Sequence, residues 1–235
     1  MSVSDPVENA LDCFDAGDIL RAEKISFEGL FRNLQPVEIE IGCGKGKFLI
    51  SRAEQCPGIN FLGIDRVAKW MKAGQRKKGR LNLQNVRFFR TDIRLVLEKT
   101  PLQSIHIFHL YFPDPWPKRR HRPRRLVTAK FLQLLHSRLL DGGLIEMATD
   151  DADYFSQMKA EAEALSFLWR EKRESRERFL DTAKTSYEIK YESAGRKLYY
   201  LELKAAISRN GGIGERASGG VEERASGRAK EREIL

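Results

Sequence analysis

Between Val37 and Asp150, short runs of β-branched and aromatic residues alternate with longer runs in which apolar residues return every three or four positions. "VEIEIG" (37–42), "NFLGID" (60–65), "VRFFRTD" (86–92), "SIHIFHLYF" (104–112) and "GLIEMATD" (143–150) have the length and composition of strands. "KGKFLISRAEQ", "AKWMKAGQRKKGRL" and "LVTAKFLQLLHSRLL" between them have helical length, the last with Phe131, Leu134, Leu135 and Leu139 at helical spacing. Strands alternating with helices predict an α/β fold: a mostly parallel central sheet, right-handed crossovers and helices on both faces. A helix over 151–165 and two late strands, around 167–174 and 197–204, would complete one edge of the sheet, antiparallel to the rest.

The ends differ from this core. The first 35 residues hold seven acids and three bases, with room for a helix but no readable chemistry. From Ser208 the chain repeats "ERASG", is rich in Gly, Ser, Arg and Glu and has almost no large apolar residue, so it is expected to be a disordered tail. Three parts are expected: 1–35 as an extension, 36–207 as one domain, and 208–235 as the tail.

Charge adds a partner to this picture. The 42 Lys and Arg outnumber 33 Asp and Glu, giving a formal charge of +9. The excess is concentrated: 66–94 carries ten bases and one acid, Asp92. A polyanion is the natural complement. Three cysteines without a CxxC spacing argue against a disulfide framework or zinc site, and no metal is expected. No run is apolar over the roughly 18 residues that a membrane helix needs. A protein of the reducing cytoplasm is expected, monomer or homodimer.

"EIGCGKGKF" puts Gly42, Gly44 and Gly46 between the first predicted strand and helix, where an open α/β sheet brings a nucleotide against the backbone. Lys47 breaks the dinucleotide spacing and disfavours a nicotinamide cofactor. Asp65, ending the second strand, can accept both ribose hydroxyls. Asp92, ending the third, is placed to approach an adenine edge, and Glu40 lies where an amino acid moiety would sit. This order suits S-adenosylmethionine. Cys43 is read as a small residue in a crowded loop, and His106 and His109 as core or sheet-face residues.

After the fourth strand comes "FPDPWPKRRHRPRRL" (112–126). Pro113 and Pro115 restrict the backbone around Asp114, so its carboxylate has a fixed direction. Trp116 offers a face on which a base can stack, and six Lys or Arg in 118–125 offer phosphate contacts. An acid, a ring and a basic cluster at one strand end suggest a nucleic-acid substrate.

Together, "EIGCGKG", "GID", "FPDPWPKRRHRPRRL", "ATD" and "TSYEIK", in that order from Pro36 to Lys204, resemble the tRNA (guanine-N7)-methyltransferase family. The resemblance implies a Rossmann-like class I methyltransferase fold, S-adenosylmethionine as cofactor and tRNA as partner, with a guanine of the variable loop as target. It implies that Glu40, Asp65, Asp92 and Asp114 line the cofactor pocket, Asp114 being the catalytic candidate. Lys118, Asp150 and the segment Thr185, Ser186, Tyr187 and Glu188 would meet the substrate; Arg119, Arg120, Arg122, Arg124 and Arg125 would meet the RNA backbone. The family commonly has Thr-Lys-Phe-Glu where this chain has Thr-Ser-Tyr-Glu. Methylation of another RNA or of protein, and a noncatalytic RNA-binding role, are the competing readings.

Overall fold

The computed structural model describes residues 13–15, 21–174 and 183–207. Eight strands form one sheet in the order β1-β4-β3-β2-β5-β6-β8-β7. They are β1 (Cys13–Asp15), β2 (Val37–Ile41), β3 (Asn60–Asp65), β4 (Val86–Arg90), β5 (Ile105–Tyr111), β6 (Leu139–Thr149), β7 (Trp169–Arg173) and β8 (Tyr199–Ala205). β1 to β6 pair in parallel, and β8 is antiparallel to both β6 and β7. The chain winds outward from β2 through β3 to β4, then returns to the other side of β2 with β5. That reversal opens a crevice at the carboxyl ends of β2 and β5, the place where such sheets bind ligands.

Helices cover both faces because the strands alternate their apolar residues between them. On one face α2 (Lys47–Gln55) and α3 (Ala68–Arg80) pack Leu49, Ile50 and Met71 against Phe61, Val86 and Phe88. On the other, α1 (Phe27–Phe31), α4 (Ile93–Lys99), α5 (Ala129–Arg138) and α6 (Ala152–Glu163) bury Phe31, Val96, Leu132 and Tyr154 against Ile39, Leu62, Phe108 and Ile145. A last helix, α7 (Ser186–Ser193), precedes β8.

Three local features add to or depart from the sequence expectation. Described residues ahead of Pro36 pack on the sheet: β1 extends it, Ile25 and Phe31 enter the core, and the Arg87 guanidinium donates to the Leu30 carbonyl at 3.2 Å. β6 begins at Leu139 rather than 143, because the turn at Gly142 and Gly143 interrupts extended chain instead of preceding it. "TSYEIK" is helical: the Thr185 hydroxyl accepts from the Glu188 N–H at 2.9 Å, an N-cap that the Thr-x-x-Glu spacing encodes. The 208–235 tail lies outside the described residues. Among the described residues no helix is long and apolar enough to cross a membrane.

Candidate active site

A cavity of about 880 Å³ occupies the crevice. Its floor is the loop joining β2 to α2, held to β3 by the N–H groups of Gly42 and Cys43, which donate to the Ile64 carbonyl at 2.8 and 3.1 Å. Both oxygens of Asp65 also brace backbone, accepting from Gly44 N–H and Val67 N–H at 2.8 Å each. Gly42, Gly44 and Gly46 have φ of 79°, 52° and 65°, left-handed values that side chains disfavour. At Gly46 space forbids a side chain as well: a Cβ would lie 2.8 Å from the Phe88 ring. The loop therefore presents bare backbone to the cavity.

Glu40, 4% exposed, closes the inner end. Its Oε2 is buried without a hydrogen-bond partner among the described residues. Burial pushes its carboxyl up to about 8, only partly offset by the charge of His109. Asp92 caps α4 by accepting from Arg94 N–H at 2.9 Å, and Arg66 and Arg94 approach it at 3.9 and 3.6 Å. An orphaned carboxylate oxygen, a bare glycine loop and two further acids fit an adenosine-bearing ligand with a cationic amino group.

Behind Glu40 lies a cluster that no sequence motif announced. Register aligns Glu40, His109, Glu146 and Glu202 in a row across β2, β5, β6 and β8. His109 Nε2 meets Glu38 at 2.9 Å and Nδ1 meets Glu146 at 2.9 Å. The Tyr111 hydroxyl donates to Glu146 at 2.6 Å, and Arg52 pairs with Glu38 at 3.3 Å. Burial alone would depress His109, but its two carboxylate partners outweigh that and raise it to about 9. Burial likewise opposes ionisation of Glu38, yet His109 and Arg52 hold it below the usual range. His109 is thus a sheet-face residue whose two carboxylate partners favour its charged form.

The opposite wall is the proline loop. Phe112 and Trp116 take positive φ, 53° and 43°, an unfavourable conformation for large side chains. Between them Asp114 is exposed at the cavity edge. The bend is fixed by Phe112 N–H donating to the Ala148 carbonyl at 2.8 Å and by Arg125. Arg125 is 3% exposed, and its guanidinium donates to the Pro115 carbonyl (2.7 Å), Gln157 (2.9 Å) and Asp153 (2.6 Å). Expected as an RNA contact, Arg125 is instead spent inside the protein, because its hydrogen bonds hold the loop to α6. Residues Arg119–Arg124 form a 3-10 helix with Arg119, Arg120, Arg122 and Arg124 exposed. Arg122 pairs with Asp153 at 3.1 Å, and Arg124 stands 5.0 Å over the Trp116 ring.

The remaining candidates divide. Thr185, Ser186 and Tyr187 line the cavity together with Lys190. Glu188 does not: it is buried, accepting from the Tyr200 hydroxyl at 2.8 Å. Asp150 pairs with Arg196 at 2.6 Å and Lys118 is exposed, both outside the cavity lining. Cys43 is buried beneath the glycine loop, as its packing role requires. Among the described residues no group of three or more His, Cys, Asp or Glu is arranged to hold a metal ion.

Known proteins are similar to this chain. A family described as "Putative methyltransferase" matches residues 34–201. The chain is 33% identical to the tRNA (guanine-N(7)-)-methyltransferase of Rubrobacter xylanophilus over 78% of this chain and 82% of that protein. It is 40% identical to the enzyme of the same name from Psychromonas ingrahamii over 60% of this chain and 58% of that protein. Two solved structures share the fold, an antibiotic-related methyltransferase (TM-score 0.54, 19% identity, 80% of this chain, 97% of that one) and the 16S rRNA methyltransferase KamB (0.55, 17%, 83% and 94%). With the family match spanning 34–201, which contains the glycine loop, Asp65 and the proline loop, and a relative 33% identical over most of both chains, the chain belongs to the tRNA (guanine-N(7)-)-methyltransferase family.

Proposed function

We propose that this protein transfers a methyl group from S-adenosylmethionine to N7 of a guanine in the variable loop of tRNA. The observation that carries the reading is the convergence of two dissimilar walls on one cavity: a bare glycine loop with Glu40 and Asp65, and a braced loop that projects Asp114. The cavity lies near the upper end of the roughly 300–1,000 Å³ of ligand pockets, which suits a cofactor and a base together.

The cofactor supplies, when bound, a methyl group already activated on a sulfonium. Glu40 is placed to receive its amino group, Asp65 its ribose hydroxyls and Asp92 its adenine side. Guanine N7 carries an available lone pair, so no residue need remove a proton first. The protein's contribution is alignment, which can supply several kcal/mol. Asp114 accepts from the guanine N1 and N2 hydrogens, selecting guanine over adenine, and its charge opposes the positive charge that develops on the ring. Ser186 and Tyr187 face the base from α7, while Arg119, Arg120 and Arg124 meet the backbone.

The test is transfer of labelled methyl to unmodified tRNA, followed by chain cleavage specific for N7-methylguanine. Cleavage at one variable-loop guanine is expected. Label at another position, or on another RNA or a protein alone, would overturn the proposed target.

A further inference from the structure

The longest stretch of one-sided positive charge, 66–94, gives only Arg66 and Arg94 to the cavity wall; its other exposed cations are not used by the site described above. Its cations are not scattered by the fold. Lys69, Lys72, Arg76 and Arg80 stand at i, i+3, i+7 and i+11 of α3, which puts them on one stripe of the helix. All four are exposed, while Met71, Gly74 and Lys78 form the buried side. No acid occurs in α3, and none of the four makes an ion pair with a described residue. A solvated helix face ordinarily mixes signs, because like charges three and four residues apart repel. Here Lys69 and Lys72, Lys72 and Arg76, and Arg76 and Arg80 are all such neighbours.

The stripe also has a definite position. It begins at the cavity: Arg66 and Trp70, at the start of α3, line the same wall as Lys45 and Arg94. Lys45 sits 5.0 Å over the Trp70 ring. From there the stripe runs about 17 Å along α3, away from the crevice. On the far side of the cavity are Arg124 and the exposed arginines of the proline loop. A nucleotide within a chain has phosphates on its 5′ and its 3′ side, so a base held in this crevice sends backbone out in two directions. The proline loop can receive only one of them.

We infer that the exposed stripe of α3, Lys69, Lys72, Arg76 and Arg80, is a second docking surface for the tRNA backbone, so that the substrate straddles the cofactor crevice between two basic patches. This rests on the tRNA methyl-transfer reading and adds a surface that takes no part in the chemistry. The contacts are to phosphate and carry no base selectivity.

The test compares the full-length protein with a Lys72→Gln, Arg76→Gln, Arg80→Gln variant and with a conservative Lys72→Arg, Arg76→Lys, Arg80→Lys variant. Binding of unmodified tRNA is measured across salt concentrations, alongside KM and kcat. Each phosphate contact contributes roughly 0.7–0.9 to the log–log salt slope, so the neutral variant should be shallower by about two. Its KM for tRNA should rise about tenfold or more, with kcat at saturating tRNA and cofactor affinity unchanged; the conservative variant should behave as the parent. An unchanged slope and KM in the neutral variant, with the parent protein methylating tRNA normally, overturns the inference and leaves the reading intact. A parent protein that neither binds nor methylates tRNA removes the reading, and the inference with it.

Discussion

The two walls of the cavity are built on opposite principles. The glycine wall is made by removing side chains: three glycines at positive φ, one pressed against Phe88, let backbone line the cavity, and the polar groups behind it are buried. The proline wall is made by forcing large residues into unfavourable backbone, with Phe112 and Trp116 at positive φ and an internal arginine holding the bend. A ligand common to many enzymes can be met by a surface that lacks side chains. On the proposed reading, a base that must be distinguished from three others needs a side chain, and Asp114 is the one this wall delivers at a fixed angle.

Substitutions should separate the walls. Asp114→Ala is expected to have the largest effect on turnover, lowering kcat by about 10²–10³, as loss of one prepositioned electrostatic group does elsewhere. Cofactor binding, followed by calorimetry, should stay within about twofold, whereas a parallel loss of cofactor affinity would merge the two walls into one site. Gly46→Ala should do the reverse. A Cβ at 2.8 Å from Phe88, in a left-handed conformation, should cost about 2–3 kcal/mol of stability and weaken the cofactor before it affects tRNA. Thermal melting and cofactor titration on one sample would check it.

Charge tests are subtler. Cofactor affinity should increase about tenfold per pH unit up to about 8, since only ionised Glu40 complements an ammonium group. Glu40→Gln should bind more weakly at pH 8 and lose that dependence; a Gln variant with the same slope would assign the titration elsewhere. Arg125→Lys should lower kcat about tenfold by loosening the Pro115 carbonyl while leaving the salt slope of tRNA binding intact. Arg119→Gln with Arg120→Gln should change the slope and spare kcat. If Arg125→Lys changes the slope instead, Arg125 touches RNA after all.

The smallest effect is on stability. Glu40 and His109 both hold protons in the folded state that they would release when unfolded, Glu40 between the ordinary 4.5 and about 8, His109 between 6.5 and about 9. Stability from His109 is therefore complete below pH 6.5 and lost as pH rises through about 9, and the Glu40 contribution has the same sign. The melting temperature should fall by a few degrees from pH 6.5 to 9. A melting temperature that does not change over that range would show that neither group holds its extra proton in the fold.

The strands, the glycine loop and the proline loop were legible because each is local: a run of β-formers, a glycine spacing, two prolines around an acid. The Glu38, His109 and Glu146 cluster was not, since its members stand on three separate strands within otherwise apolar runs, and only register joins them. Arg125 was misjudged for a related reason. Six bases within eight residues carry no mark of which guanidinium turns inward; that was decided by Asp153 and Gln157 on α6. The cap that starts α7 is encoded in Thr185 and Glu188, the same residues that the resemblance assigned to the substrate.

The buried row has a meaning for assembly as well as for the site. Side chains alternate faces along a strand, so a slip of β5 by one residue would carry His109 to the opposite side of the sheet. Glu38 and Glu146 would then be buried facing each other's charge with no cation between them, a cost of several kcal/mol. The apolar residues of β5 tolerate exchange, because Ile, Phe and Leu fill either face. One imidazole is what tells this strand which of its alignments is the native one.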